Sequence, residues 1–184
     1  AMAIHALALA EELGVDGDEV LSRVGLTREA INREGALIDC GTVVDSLEIA
    51  ASLSRVPDFG MRLSNKLGFK HYGLIGMVAE HATSLEAAIG ELARFVHVLN
   101  GALKIDIVRQ ADGYGITLEV EQFGQFSPAQ YRETILTTGV SLCRHLINPD
   151  WMPRRVCFVH AAMAPMSLYY QAMGGTVLFN QPQN

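Results

Sequence analysis

The period of the hydrophobic pattern changes near the middle of the chain, and this change restricts the fold more than any other feature of the sequence. In ATSLEAAIGELARFVHVL, residues 82–99, apolar residues recur with the spacing of one helix face. In LKIDIV and YGITLEV, which follow, every second residue is apolar, as in strands with one polar face. The segment Ala111–Gly113 between them predicts a hairpin turn. The chain therefore combines helices with a β-hairpin.

Glycine residues divide the amino-terminal part into short predicted helices, because glycine just past a helix end readily adopts the left-handed conformation. The first two helices are predicted over residues 2–13 and 18–24, ending at Gly14 and Gly25. The other predicted helices of this part run from Thr27 to Arg33, from Thr42 to about Leu53, and from Pro57-Asp58 to near Gly68.

The remaining elements complete an α+β fold. Thr83 with Glu86, and Ser127 with Gln130, predict capping boxes at the starts of two helices. A strand is predicted from Arg155 to about Ala161, then a short helix over residues 167–173 and a last strand in TVLFN. The predicted architecture is a helical amino-terminal half followed by a β-hairpin, helix, strand, helix and strand, which form a small antiparallel or mixed sheet. Residues 1–184 suit a single domain.

The composition predicts that part of the surface is covered by another molecule. Charged residues make up 18% of the chain, whereas ordinary soluble domains contain about 25%. A domain with so few charges and 49% apolar residues is expected to associate with a partner, a second copy included. We expect a homodimer, formed through either the helical segment Ser84–Leu99 or the segment Ser127–Ile147.

Charge and cysteine content exclude several other classes. The net charge is −6 and the basic residues are scattered, so direct binding of nucleic acid is not expected. No apolar run approaches the roughly 18 residues of a membrane span, so no membrane partner is expected. The three cysteines include no C-x-x-C pair, and the first residues do not resemble a signal peptide. We therefore expect buried thiols in a cytoplasmic protein.

No catalytic or metal-binding motif is complete in this sequence. Cys157 and His160 would face opposite sides of the predicted strand, so they cannot form a nucleophile–base pair or bind one metal. GFKHYGLIG lacks the Lys-Ser/Thr of a phosphate-binding loop, and GVSLC lacks the last glycine of a nucleophile elbow. No pair of histidines has the spacing of a zinc site. We therefore predict no enzyme, no cofactor and no metal.

One charged residue interrupts an apolar helix face. Arg132 lies among the residues that form the apolar arc of the predicted helix, which are Tyr131, Ile135, Gly139, Leu142, Cys143 and Leu146. Arg132 either extends past the helix start to water or lines an apolar pocket, where it could pair with a carboxylate or phosphate. In the second case the pocket lies between the helical half and the sheet. Tyr131, His160 and Tyr169 are the further candidate ligand-binding residues.

Four motifs, in this order along nearly the whole chain, resemble a known family. They are PDFGMRL (Pro57–Leu63), GLIGMVAEHATSLEAAI (Gly73–Ile89), PRRVCFVH (Pro153–His160) and YYQAMGGTVLFN (Tyr169–Asn180). Together they are similar to the amino-terminal effector domain of AraC/XylS-type transcription regulators, in the arabinose-binding-like subgroup. Met173 stands where such proteins often have phenylalanine, for which only local repacking is expected.

The resemblance implies a domain that senses a small molecule and dimerises, while a carboxyl-terminal helix-turn-helix domain, absent from this chain, binds DNA. It implies no particular ligand and no ligand-binding residues. Two alternatives remain open at this point: a purely structural dimerisation module without a ligand, and a small enzyme with a site that the sequence does not reveal.

Overall fold

The fold is given by a computed structural model that describes residues 2–33, 35–67, 76–77, 81–99, 101, 103–111, 113–121 and 124–184. The chain separates into two units. The first unit contains the described residues within 1–67 and 122–135, and the second contains those within 68–121 and 136–184. The predicted helix cap at Gly68, the turn residue Asp112 and much of the motif Gly73–Ile89 lie outside the described residues.

The order of helices and strands confirms the predicted α+β class. Among the described residues the elements are α1 (Met2–Glu12), α2 (Gly17–Arg23), α3 (Arg28–Asn32), α4 (Cys40–Ser54), α5 (Phe59–Leu67), α6 (Leu85–Leu99), β1 (Leu103–Gln110), β2 (Gly113–Val120), α7 (Ala129–Leu146), β3 (Arg155–Cys157), α8 (Met166–Met173) and β4 (Thr176–Leu178). None of the described helices is long and apolar enough to cross a lipid bilayer.

The strands of the second unit form two separate pairs. β1 and β2 are antiparallel, with Ile105 opposite Leu118, while β3 and β4 are parallel, with Val156 opposite Val177. Parallel strands need a crossover connection, and α8 lies in the segment that links β3 to β4. In the described part of the chain, the predicted small sheet is therefore one antiparallel pair and one parallel pair.

Helix ends that depend on neighbouring residues follow the sequence predictions. Gly14 and Gly25 have positive φ angles of 83° and 69° just after α1 and α2. The Thr27 hydroxyl accepts a hydrogen bond from the backbone N–H of Ala30 at the start of α3. These caps form because every participating group lies within one turn of the helix end.

The starts of α4 and α6 differ from the predicted ones. α4 begins at Cys40 because the carboxylate of Asp39 accepts a hydrogen bond from the backbone N–H of Thr42, so Thr42 lies inside the helix. At the start of α6 the Ser84 hydroxyl, and not Thr83, accepts from the backbone N–H of Ala87. In both cases a polar side chain next to the predicted start, Asp39 or Ser84, accepts a hydrogen bond from the backbone N–H three residues further along the chain.

The strand predicted from Arg155 to about Ala161 ends at Cys157, and the last strand ends at Leu178. The alternation of strand faces therefore does not determine where His160 points. Phe158 is nevertheless fully buried, and its backbone N–H donates to the Leu178 carbonyl just beyond the regular pairing.

The first unit is a helical core built around α4, which packs against α1, α2 and α5. Leu47 of α4 and Phe59 and Leu63 of α5 have no exposed surface. Burying each such side chain contributes about 1.5–3 kcal/mol relative to leaving it in water. This core fixes the positions of the polar side chains that α4 and α5 present to α7.

Candidate functional site

Arg132, the main candidate from the sequence, lies in the first unit near the start of α7. Its side chain is half-buried, and its Nε atom is buried without a hydrogen-bond partner. Burial lowers the pKa of the Arg132 guanidinium, while the charge of Glu48 acts in the opposite direction. Arg132 is thus a partly desolvated cation with a carboxylate nearby.

Glu48 of α4 supplies that carboxylate and was not identified from the sequence. Its Oε1 accepts a hydrogen bond of 2.6 Å from the backbone N–H of Gln130, and the backbone N–H of Tyr131 also contributes. Burial raises the pKa of Glu48 to about 7, although these N–H groups and Arg132 favour the ionised form. A carboxyl group that changes charge near neutral pH therefore lies beside Arg132.

A second carboxylate, that of Asp45, holds the loop before α7. It lies one turn before Glu48 on α4 and accepts hydrogen bonds from the backbone N–H groups of Gln125 and Phe126, at 2.9 and 3.1 Å. Gly124 approaches this carboxylate so closely that a Cβ atom would collide with it. Asp45 and Glu48 together fix the entry of the chain into α7.

Gln130 joins α7 to α5, and the predicted capping box of Ser127 and Gln130 is wrong. The Gln130 side chain accepts from the backbone N–H of Gly60 at 2.7 Å and donates to the carbonyl of Pro57 at 2.9 Å. Since the backbone N–H of Gln130 donates to Glu48, a distant side chain replaces the local cap. The Thr134 hydroxyl adds a bond of 3.0 Å to the Gly60 carbonyl.

The first half of α7 buries polar side chains as well as apolar ones. Gln130, Glu133 and Thr134 have no exposed surface, and Thr137 is 4% exposed. Polar side chains tolerate such burial when hydrogen bonds replace water, as those of Gln130 and Thr134 do. Arg132 is therefore one of several polar residues of α7 that are buried or partly buried in the fold.

The four predicted site residues fall in two different units. Arg132 lies in the first unit with Tyr131, which is 2% exposed, whereas His160 and Tyr169 lie in the second. In the second unit the ring of Phe158 lies 5.1 Å from that of His160 and 5.7 Å from that of Tyr169. His160 and Tyr169 thus belong to one aromatic cluster, which Phe179 completes.

Polar contacts hold this aromatic cluster in place. The Tyr169 hydroxyl accepts a hydrogen bond from the backbone N–H of Met163, and His160 Nδ1 lies 2.8 Å from the Ala161 carbonyl oxygen. Edge-to-face contacts such as that between Tyr169 and Phe179, at 4.8 Å, add about 0.5–1.5 kcal/mol to burial. Tyr169 is fully buried within this cluster, whereas His160 is half-buried.

Neither a metal cluster nor a reactive form of the buried thiol Cys143 is found among the described residues. They contain no group of three or more histidine, cysteine, aspartate or glutamate side chains placed to hold a metal ion. Burial raises the pKa of the Cys143 thiol to about 11, which keeps it protonated at neutral pH. A thiol in that state is a poor nucleophile.

Comparison with known proteins gives the family. The arabinose-binding domain of AraC transcription regulators, an amino-terminal domain, matches residues 14–184. The chain belongs to this family. It is also similar to the HTH-type transcriptional regulator VirS of two Mycobacterium tuberculosis strains, with 27% identity over 175 residues. The match covers 94% of this chain and 52% of each relative, so the chain spans about half the length of the curated relatives it matches.

Two glycines of the motifs that carry the AraC-type resemblance, Gly60 and Gly175, lie at close backbone contacts. A Cβ atom at Gly60 would collide with the carbonyl oxygen of Gln130, and one at Gly175 with that of Pro153. Met173, the departure from the usual phenylalanine, is fully buried within its own unit. These positions of the AraC-type domain determine packing, and the polar groups around Arg132 lie outside the motifs.

Proposed function

We propose that this AraC-family domain binds a small-molecule effector in the cytoplasm and forms a homodimer within a transcription regulator. The family match over residues 14–184 is the observation that carries the proposal. The names of the VirS relatives, which are about twice as long, support regulation of transcription through a helix-turn-helix. The net charge of −6 disfavours direct binding of DNA by this domain, so we assign DNA binding to another part of the regulator.

Arg132 is the polar anchor of the proposed effector site, and Tyr131, His160 and Tyr169 are further candidates. A buried N–H group without a partner costs about 1–3 kcal/mol, so an acceptor on the effector would recover this loss at Arg132 Nε. A carboxylate would add a charge-assisted hydrogen bond, and apolar walls would supply most of the affinity.

A thermal-shift panel of metabolites tests the effector site. An effector at about 100 times its Kd should stabilise the domain by about 2.7 kcal/mol, or roughly 5–10 °C in melting temperature. Arg132→Met should retain the fold, because methionine fits the apolar arc, yet lose most of this shift. Arg33→Met, which makes the same change at an exposed position of the first unit, should retain the full shift. A full shift in Arg132→Met would place the anchor elsewhere.

Self-association is the second part of the proposal. The low charged fraction of 18% supports it, and so does Phe95 of α6, which is 37% exposed beneath the guanidinium of Arg94. Light scattering should give twice the 20.0 kDa mass of the chain. Phe95→Glu should lower the measured mass towards that of the monomer if α6 forms the interface. A single monomeric species at high protein concentration would contradict dimerisation.

A further inference from the structure

The start of α7 is held by the side chains of another helix. Asp45 and Glu48, one turn apart on α4, accept hydrogen bonds from the backbone N–H groups of residues 125, 126, 130 and 131. Carboxylates in this position stabilise a helix start through its N–H groups and its dipole. Of the two, only Glu48 also lies close enough to Arg132 for their charges to interact.

The charges around Glu48 come from two helices. Asp45 of its own helix disfavours the ionised form of Glu48, and Arg132 of α7 favours it. Glu133 of α7 is fully buried beside α5, with its Cβ 3.1 Å from the position that a Cβ on Gly60 would occupy. Charged groups on or next to the other helices that pack on α4 form ion pairs away from Glu48, which are Glu11–Arg28, Asp18–Arg28, Glu12–Lys66, Asp58–Arg62 and Glu19–Arg23. Helix α1 also carries His5.

We propose that Glu48 is a proton-operated contact between α4 and α7. In its ionised form Glu48 neutralises Arg132 and caps the first turn of α7 with a charged group. In its protonated form Glu48 still accepts a hydrogen bond from the chain, but it leaves the Arg132 charge uncompensated. Because burial raises the pKa of Glu48 to about 7, a change of about one pH unit near neutrality converts one form into the other.

The proton on Glu48 also stabilises the folded state. The pKa of Glu48 is higher in the folded chain than its ordinary value of 4.5, so the folded state binds the extra proton between these two values. The folding equilibrium constant should therefore fall by up to tenfold per pH unit as the pH rises from about 5 to 7, and should then level off.

For an anionic effector the consequence is proton uptake. An anion at Arg132 and an ionised Glu48 would repel each other, so the anion binds together with a proton on Glu48. This consequence rests on the proposed function, whereas the titration of the contact does not.

Amide NMR spectra of the 15N-labelled chain between about pH 5.5 and 8.5 test the contact. The backbone amide resonances of Gln130 and Tyr131 should titrate together with a midpoint near the pKa of Glu48, about 7. The amides of Gln125 and Phe126, which bind Asp45, are internal controls and should not follow this titration. Glu48→Gln keeps the size and one acceptor of the side chain, and should abolish the titration.

Denaturant unfolding of the same variants provides a second measurement. Glu48→Gln should flatten the fall of the folding constant between about pH 5 and 7, and Glu29→Gln, an exposed control on α3, should not. Resonances of Gln130 and Tyr131 that do not titrate, or that still titrate in Glu48→Gln, would overturn the proposal.

Acetate is the probe for the coupling to an anion. At about 100 mM, compared with sodium chloride of equal ionic strength, acetate should raise the midpoint of the Gln130 and Tyr131 titration, because linkage is reciprocal. The same comparison with Arg132→Met should show no rise. An unchanged midpoint in the unsubstituted chain would overturn the coupling while the titration itself stands. If Gln130 and Tyr131 titrate as expected but no metabolite raises the melting temperature, only the proposed binding of an effector would be contradicted.

Discussion

Replacing Gly60 with alanine should destabilise the first unit by about 3 kcal/mol or more. The added Cβ would collide with the backbone carbonyl oxygen of Gln130, which cannot move away without shifting α7. Such a shift would also weaken the hydrogen bonds that the Gly60 N–H and carbonyl form with Gln130 and Thr134. Chemical denaturation monitored by circular dichroism measures the loss, which corresponds to roughly 6–12 °C in melting temperature.

Gly139→Ala on α7 is the matched control. A Cβ at Gly139 meets no atom within 4 Å, so alanine adds no contact there and removes the conformational freedom of glycine from a helix interior. The expected result is stabilisation by about 0.5–1 kcal/mol, opposite in sign to the effect of Gly60→Ala. Equal effects of the two substitutions would show that α5 and α7 do not approach each other at Gly60.

The sequence predicted the features whose causes are local. The left-handed glycines after α1 and α2 and the Thr27 cap of α3 need only groups within one helical turn. The hairpin was predicted from alternating apolar residues, and in the structure Ile105 lies opposite Leu118. The α+β class followed from the same patterns, because each of them is visible within a window of about ten to twenty residues.

Contacts between distant residues were not visible in the sequence. Ser127 and Gln130 have the spacing of a capping box, yet Glu48, which is 82 residues away, accepts the hydrogen bond from the backbone N–H of Gln130. Gln130 instead caps α5 through Gly60, at a separation of 70 residues. The local capping box does not form because tertiary packing brings a charged acceptor to the helix start. Hydrogen bonds to charged groups are stronger than those to neutral groups.

The ligand-binding role of the candidate residues stays a prediction, and only their surroundings can be compared with the sequence. From its position on the helix, Arg132 was expected either to extend to water or to line a pocket, and the structure places it half-buried with a buried Nε atom. Its neighbour Glu48 was missed because the pairing of α4 with α7 is a tertiary contact. One signal was present, since Asp45 and Glu48 are acidic residues one turn apart in an otherwise largely apolar helix.

Arg144→Met should destabilise the second unit by about 3 kcal/mol. The guanidinium of Arg144 donates hydrogen bonds to three backbone carbonyls, those of Trp151, Ala172 and Met173, at 2.9–3.1 Å. The last two carbonyls belong to the final turn of α8, where a helix leaves its carbonyls without partners and where the dipole favours a cation. Methionine retains part of the packing of the aliphatic chain but leaves all three carbonyls without this donor.

Two further variants separate this role of Arg144 from a general effect of charge. Arg144→Lys retains the positive charge, but an ammonium group lacks the planar fork of donors, so it should restore only part of the lost stability. Arg109→Met, at an exposed position of β1, removes the same charge and should change stability by less than about 0.5 kcal/mol. If Arg144→Met were no more destabilising than Arg109→Met, the Arg144 contacts would contribute nothing to the fold. The end of α8, including the buried Met173, would then be held by side-chain packing alone.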